Sequence, residues 1–435
     1  MLDIKRIREK TEEVRQGLRD RDADPALVDK VLEFDARRRE ILTVSEELKG
    51  RRNTVSKQIG QLRKAGEDTA EIQASMRKLG DEIAALDAQL AEIECNQNTL
   101  LLSLPNLPAP GVVPGGKEMN AVVSVFGEKP SFAGFPPKNH VDLCTALGLI
   151  DYERGVKMGG NGFWLYQGDG ARLEWALLNY FVEEHLKDGY TFMLPPHLLN
   201  YECGMAAGQF PKFEEDVYRL TEEGFHFLLP TAETALVNLH RGEILDEAML
   251  PRRLFAYTPC YRREAGAYRA SERGMIRGHQ FNKIEMFAYT RPEESEAMLQ
   301  ELIRKACKLV EGLGLHYRLS KLAAGDCSAS MATTYDIELW LPSMNEYKEC
   351  SSVSNAMDYQ ARRGNIRFRR AETQKLEFVH TLNGSGLATS RLMPAIVEQF
   401  QLPYGGVAIP EVLRKYMGGQ ATLEPGASPT SRNTP

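Results

Sequence analysis

Apolar residues at Ile72, Met76, Leu79, Ile83, Leu86, Leu90 and Ile93 fall alternately four and three positions apart, the spacing of a coiled-coil seam. Upstream, Phe34, Ile41, Leu48, Val55, Ile59 and Leu62 form a matching stripe. Ala65-Gly66-Glu67-Asp68 interrupts the pattern between them, and residues 1–103 hold no proline except Pro25. Two seams of similar length around a short break predict an antiparallel helical hairpin. From Phe34 to Leu62 it would extend about 40 Å at the rise of an α-helix. The run SLPNLPAPGVVPGG then reads as a Pro/Gly linker. Beyond it, FHFLLP, RLFAYTP, KIEMFAYT and YDIELWLP read as strands, among helices over RLEWALLNYFVEEHLKDG and ESEAMLQELIRKACKLVEGLG. Strands lying close together and joined by turns favour an α+β fold, an antiparallel sheet flanked by helices. The expected division is a helical arm over 1–103, a linker over 104–118, the α+β domain over 119–418 and a disordered tail over 419–435.

Composition narrows the class. A chain of 435 residues calls for two or more domains, and 43% hydrophobic with 26% charged residues suits a soluble globular protein. No apolar run approaches the ~18 residues of a membrane span. The N-terminal MLDIKRIREKTEEVRQ has no apolar signal-peptide core, so a cytoplasmic protein is expected. Seven scattered cysteines with no CxxC pair argue against a disulfide framework and offer no local zinc ligands. The net charge of −6 leaves nucleic-acid binding to local patches. One such patch lies on the first helix of the hairpin, at Arg37, Arg38, Arg39, Lys49, Arg51, Arg52 and Lys57. Alone, it reads either as a solvated coiled-coil surface or as a lever along an RNA backbone.

The candidate chemistry is spread along the second half. In TPCYRREAGAYRASERGMIRGHQFNKIEMF a strand runs into Arg262-Arg263-Glu264, a polar loop carries Arg269 and Arg273, and the chain returns through Phe281 to Glu285. A hairpin with Arg262 and Glu264 on one strand and Phe281 and Glu285 on its partner could hold a nucleotide, the arginine taking phosphate and the ring stacking on a base. PTAETALVN places Thr231 and Glu233 two apart, as on one strand face. Glu349 is followed by Cys350, Ser351 and Ser352. The stretch HTLNGSGLATSRLMPAIVEQF begins like a loop of small polar residues and continues as a helix with Arg391 in its first turns. No GxGxxG or GxxxxGK[ST] motif occurs, so neither a Rossmann nor a P-loop site is expected.

Taken together, Thr231–Glu233, Arg262–Gly266, Arg277–Glu285, Glu349–Asn355, Gln360–Arg363 and Thr381–Arg391 resemble, in order and spacing, the class II aminoacyl-tRNA synthetases of the bacterial seryl type. The resemblance covers about residues 1–418. It implies ATP-dependent formation of seryl-adenylate and transfer of the seryl group to the 3′ end of tRNA(Ser), with tRNA(Sec) a further acceptor where present. It implies that Arg262 bridges the amino acid's carboxylate and the α-phosphate, that Arg391 meets the γ-phosphate, and that Glu349 and Ser352 hold magnesium. Arg263, Glu264, Phe281, Cys350 and Ser351 complete the implied ATP site. Thr231, Ala232, Glu233, Arg262, Glu285 and Ser385 make the implied serine site. The basic arm residues and Arg269 would contact tRNA. A homodimer joined near Leu173–Pro196 is also implied.

The chain departs from the family pattern at Arg263, at the loop Ala267-Tyr268-Arg269-Ala270-Ser271-Glu272, at Ser390 and at Pro394. Those departures raise the alternative of a specialised second copy, for inhibitor resistance or for supplying seryl-tRNA to a biosynthetic pathway. An amino acid:carrier-protein ligase on the same fold, and a regulatory relative with a dead site, are the rival readings. Retention of Arg262, Glu264, Glu285, Glu349 and Arg391 argues against the last.

Overall fold

The computed structural model describes residues 1–221, 224–264 and 274–426. It divides into two compact units, residues 1–105 and 106–435. None of the described helices is long and apolar enough to cross a membrane.

The first unit holds α1 (Ile4–Glu9), α2 (Thr11–Asp20), α3 (Leu27–Lys64) and α4 (Ala70–Ser103). α3 and α4 are the two seams of the hairpin. Every seam residue named above is at least half-buried, because the four-three spacing keeps them on the facing stripes. Polar contacts set the antiparallel register: Arg38 to Glu94 at 2.8 Å, Ser45 to Asp87 at 2.9 Å and Lys49 to Asp87 at 2.7 Å. Gly66 turns the chain at φ +78°, a conformation glycine adopts without strain.

The second unit is built on an eight-stranded sheet: β1 (Ala121–Phe126), β2 (Thr191–Met193), β3 (Arg252–Tyr261), β4 (Gln280–Thr290), β5 (Tyr317–Lys321), β6 (Thr333–Leu341), β7 (Glu346–Met357) and β8 (His380–Ala388). The spatial order is β1-β5-β6-β7-β8-β4-β3-β2. All pairs are antiparallel except β2 with β3. The helices that matter for the site are α5 (Gly168–Lys187), α6 (Ala232–Leu236), α7 (Ser295–Gly312), α8 (Tyr359–Gly364) and α9 (Thr389–Gln399). Strand alternation splits the sheet into two faces. One carries Ile284, Met286, Leu382, Val353, Ile337 and Leu339, buried in a single core with Leu177 and Phe181 of α5, Leu299 and Leu302 of α7 and Ile396 of α9. Full burial of each such side chain contributes about 1.5–3 kcal/mol. The other face keeps polar side chains, and the site lies there.

Four expectations need correction. Asn383-Gly384-Ser385-Gly386 is not a loop but the middle of β8, a central strand buried throughout. Its glycines serve close approach. A Cβ on Gly384 would lie 3.3 Å from Met286 and Val353, and one on Gly386 would lie 2.5 Å from His185 Nε2. Gly386→Ala is therefore expected to destabilise the protein by about 1–3 kcal/mol through overpacking, read as a lowered midpoint in denaturant titration. Thr231-Ala232-Glu233 is not a strand either. Thr231 is the N-cap of α6, its hydroxyl accepting from Glu233 N at 3.3 Å, a local bond that competes with strand pairing. The linker is tied down from Asn106, whose Nδ2 donates to Ser330 O and Ala356 O at 3.0 and 2.8 Å; Val113 and Gly115 carbonyls accept from Ala324 and Gly325. The tail is ordered at its start. Thr422–Leu423 pairs with Val407–Ala408, and Leu423 is buried; residues 427–435 lie outside the described range.

Candidate active site

Register fixes which side chains share the polar face. Asp336 lies opposite Ser352, and Thr334 opposite Ser354. Ser354 lies opposite Asn383, and Ser385 opposite Glu285. Three residues apart on a regular strand, Glu349 and Ser352 would point to opposite faces. A bulge removes the conflict: Ser351 pairs with Ile337 and Glu349 with Glu338, leaving Cys350 without a partner. The extra residue returns Glu349 to the face of Ser352, and their side chains meet, Ser352 Oγ standing 2.9 Å from Glu349 Oε1. Cys350 itself turns into the apolar core.

Ser352 Oγ also stands 2.6 Å from Asp336 Oδ1. One hydroxyl proton cannot satisfy two carboxylates. Burial first, and then the charge of Glu349, holds the Asp336 carboxyl well above the usual range. The trio lacks one positive charge, and its donors are all hard oxygens. These residues fit a magnesium ion that keeps water or substrate oxygens in its shell. No cluster of three His, Cys, Asp or Glu side chains able to hold a metal forms among the described residues. Arg391, in the first turn of α9, acts on the same bulge. Burial pushes the Cys350 thiol up, the charges of Glu349 and Asp336 add to this, and Arg391 opposes it.

A second cluster occupies β3, β4 and α6. Arg262 follows the end of β3. Its backbone N–H donates to His279 O at 2.9 Å, its Nε to Pro230 O at 3.2 Å, and its guanidinium lies 5.2 Å from the Phe281 ring centre. Next to it, Lys283 and Glu285 form a buried ion pair. Lys283 Nζ donates to Thr231 Oγ1 at 2.8 Å, and that hydroxyl lies 3.4 Å from Glu285 Oε2. Glu233 accepts from Gln360 Nε2 at 2.7 Å, and Gln360 is in turn held by Thr381. The Glu233 carboxyl is raised to about 7, by burial first and then by the neighbouring Glu285 charge. The Ser351 hydroxyl donates to Ser385 O at 2.7 Å, linking β7 of the first cluster to β8, the strand beside Glu285. The site thus offers buried carboxylates, a planar guanidinium near a ring, and a hydroxyl held between the carboxylates of Asp336 and Glu349.

Residues 1–108 match the family model described as the seryl-tRNA synthetase N-terminal domain, and residues 218–400 match the class II tRNA synthetase core domain (G, H, P, S and T). The chain is 60% identical over 423 residues to serine–tRNA ligase 2 of Clostridium acetobutylicum, covering 96% of this chain and 99% of that one. The chain belongs to the seryl-tRNA synthetase family. It is also 44% identical to the serine–tRNA ligase of Clostridium tetani, over 98% of this chain and 100% of that one. Among solved structures, the seryl-tRNA synthetase of Pyrococcus horikoshii complexed with ATP matches with TM-score 0.92 and 35% identity, covering 98% of this chain and all of that one. The cytoplasmic serine–tRNA ligase of Naegleria fowleri with AMP matches with TM-score 0.88 and 29% identity, over 98% of this chain and 99% of that one.

Within this seryl-tRNA synthetase frame, some expected residues sit differently from the sequence reading. Glu264 lies beyond β3 with φ 51° and faces Arg277 Nε at 3.3 Å, so strand alternation does not align it with Arg262. Arg263 turns away, its Nη1 donating to Glu215 O at 3.0 Å. On the arm, Arg37, Arg51 and Lys57 are exposed and Arg52 is half-buried. Arg38 and Lys49 instead pair with Glu94 and Asp87. Arg269 falls outside the described residues. Two residues were missed. Asp336 was hidden in an ordinary strand and could be found only through the β6–β7 register. Lys283 carried a signal, since it lies two residues before Glu285 on one strand face.

Proposed function

We propose that this chain is a serine–tRNA ligase acting in two steps. A serine carboxylate oxygen attacks the α-phosphorus of ATP; the new P–O bond forms as the bond to pyrophosphate breaks. A ribose hydroxyl of tRNA(Ser), or of tRNA(Sec) where present, then attacks the acyl carbon, and AMP leaves. The observation that carries the reading is 60% identity over 96% of the chain to a serine–tRNA ligase. A carrier-protein ligase is not favoured, because the likeness runs through the N-terminal arm as well as the core; nor is a paralogue specialised for resistance or seryl-tRNA supply, since no specific observation calls for one.

The roles proposed for individual residues are those the family resemblance implies. Arg262, fixed by Pro230 and Phe281, is placed to neutralise the serine carboxylate and α-phosphate together. Phe281 stacks on adenine, Glu264 accepts from its amino group, and Arg391 meets the terminal phosphate. Glu233 holds the serine ammonium; Glu285, with Ser385 beside it, holds the hydroxyl. A site built to bond a hydroxyl strongly rejects an analogue lacking one. Glu349 and Ser352 would hold magnesium, which when bound neutralises phosphate charge. The exposed Trp175, Phe192 and Leu194, at 56, 36 and 72% of their full area, support a homodimer joined over Leu173–Pro196. A cytoplasmic site of action is proposed, in keeping with tRNA charging for protein synthesis.

Serine, alone among the amino acids, is expected to drive ATP–pyrophosphate exchange. Exchange with alanine or threonine but not with serine would sink the proposal. Binding an ammonium needs Glu233 ionised. Its carboxyl titrates at about 7, so kcat/KM for serine is expected to fall as pH drops through that value. A Glu233→Gln variant should be weaker and lack this limb.

A further inference from the structure

Lys283 takes no part in the steps above, yet its side chain is buried in the serine pocket, 9% exposed, against Glu285 at 3%. An ammonium brought out of water is costly unless its protons and charge are answered. Two of its three protons are: one faces Glu285, the other Thr231 Oγ1. The Thr231 hydroxyl is thereby fully used. It accepts from Lys283 and from Glu233 N, and its own proton lies toward Glu285. The side chain of Thr231 has no capacity left for a substrate, and its contribution passes through Lys283. What the pocket presents beside Glu285 is therefore an acceptor and a donor in contact with one another.

A hydroxyl oxygen is the group that answers both, since it donates one hydrogen bond and accepts two. A carboxylate alone tests only for a donor. A methyl group satisfies neither partner, and a thiol is weak as donor and as acceptor. We propose that Lys283 is a specificity-determining residue, which donates its remaining N–H to the side-chain oxygen of serine while Glu285 accepts the hydroxyl proton. This deepens the serine–tRNA ligase reading and rests on it. Lys283 also acts on the ammonium end of the pocket. The groups facing Glu233 are Glu285 and Lys283 on β4, Gln360 on α8 and Asn383 on β8. Lys283 is the charged group there that favours the ionised form of Glu233, and Glu285 opposes it.

The test compares wild type, Lys283→Met and Lys283→Arg in pyrophosphate exchange with serine, cysteine and alanine across about pH 5–9, a span that brackets the Glu233 carboxyl, raised to about 7, on both sides. In Lys283→Met, KM for serine is expected to rise about 100-fold, toward the lower end of the binding loss seen when one partner of a buried, hydrogen-bonded charge pair is truncated, with KM for ATP unchanged. The serine-to-cysteine preference is expected to narrow about tenfold, and the low-pH limb to move upward. Lys283→Arg should keep the limb near its wild-type position. Unchanged serine KM and preference, or equal losses in ATP and serine binding, overturn the proposal. Should Lys283→Met fail to fold, the Lys283→Met/Glu285→Gln pair decides: a recovered cooperative melting transition supports the pairing, and continued misfolding leaves Lys283 a structural residue and overturns it. Absence of serine-dependent exchange in the wild type would instead strike the underlying ligase reading.

Discussion

Arg262→Ala is expected to lower serine-dependent pyrophosphate exchange by about 10³-fold, the loss seen when one preorganised donor to developing charge is removed. The expectation rests on how little else can do the work of this guanidinium. The first step brings an anionic carboxylate to an anionic phosphate, so the barrier is dominated by positioning and neutralisation. Lys283, the other cation of this cluster, is engaged by Glu285 and Thr231, and its remaining N–H is assigned to the serine side chain rather than to the reacting carboxylate. Arg262 is held before substrate arrives, by its Nε bond to Pro230 O and by the Phe281 ring, so its ordering adds little cost on binding. Arg262→Lys should recover only part of the loss, because an ammonium cannot span two oxygens as a planar fork does. The backbone bond from Arg262 N to His279 O survives either change, and the melting midpoint should stay near wild type. Exchange within tenfold of wild type in Arg262→Ala would remove this residue from the proposed mechanism.

Much of the architecture could be read from local pattern, and the failures share one cause. The hairpin seams were legible because each heptad position is decided by neighbours three and four residues away. The strands over RLFAYTP, KIEMFAYT and YDIELWLP were legible for the same reason at period two. Gly384 and Gly386 misled because a run of small residues is normally a turn, whereas here their smallness is demanded by Met286, Val353 and His185 from distant segments. The bulge at Cys350 misled in the same way. Nothing in the local string shows that Glu349 and Ser352 share a face; only the partner strand decides it. Asp336 becomes visible as part of the site only once that register is known. Asn106 reads as linker because the carbonyls that hold it belong to residues 330 and 356. Glu233 lies on α6 rather than on a strand, and the N-cap at Thr231 brings it beside Gln360, Glu285 and Lys283, contacts that motif order alone does not show.

Deleting residues 30–95 is expected to abolish charging of tRNA(Ser), by more than about 10³-fold given the weight of phosphate contacts in RNA affinity, while serine-dependent pyrophosphate exchange stays within about threefold because every residue proposed for the adenylate pocket belongs to the second unit. The second unit has its own core, formed by residues from Leu143 onward, so adenylate chemistry does not need the arm for folding. Point variants separate recognition from hairpin stability. Arg37, Arg51 and Lys57 are exposed. Their combined change to glutamine should raise KM for tRNA and flatten its salt dependence by about 0.7 in log–log slope for each lost phosphate contact, leaving the arm's helix content intact. Arg38 and Lys49 work differently, since both are engaged with Glu94 and Asp87 on the opposite helix. Their removal costs about 0.2–1 kcal/mol of hairpin stability each and should act on tRNA only as far as the hairpin loosens. If charging survives the deletion, the arm has no part in tRNA recognition; if exchange is lost with it, the two units are coupled in adenylate formation and their proposed division of labour fails.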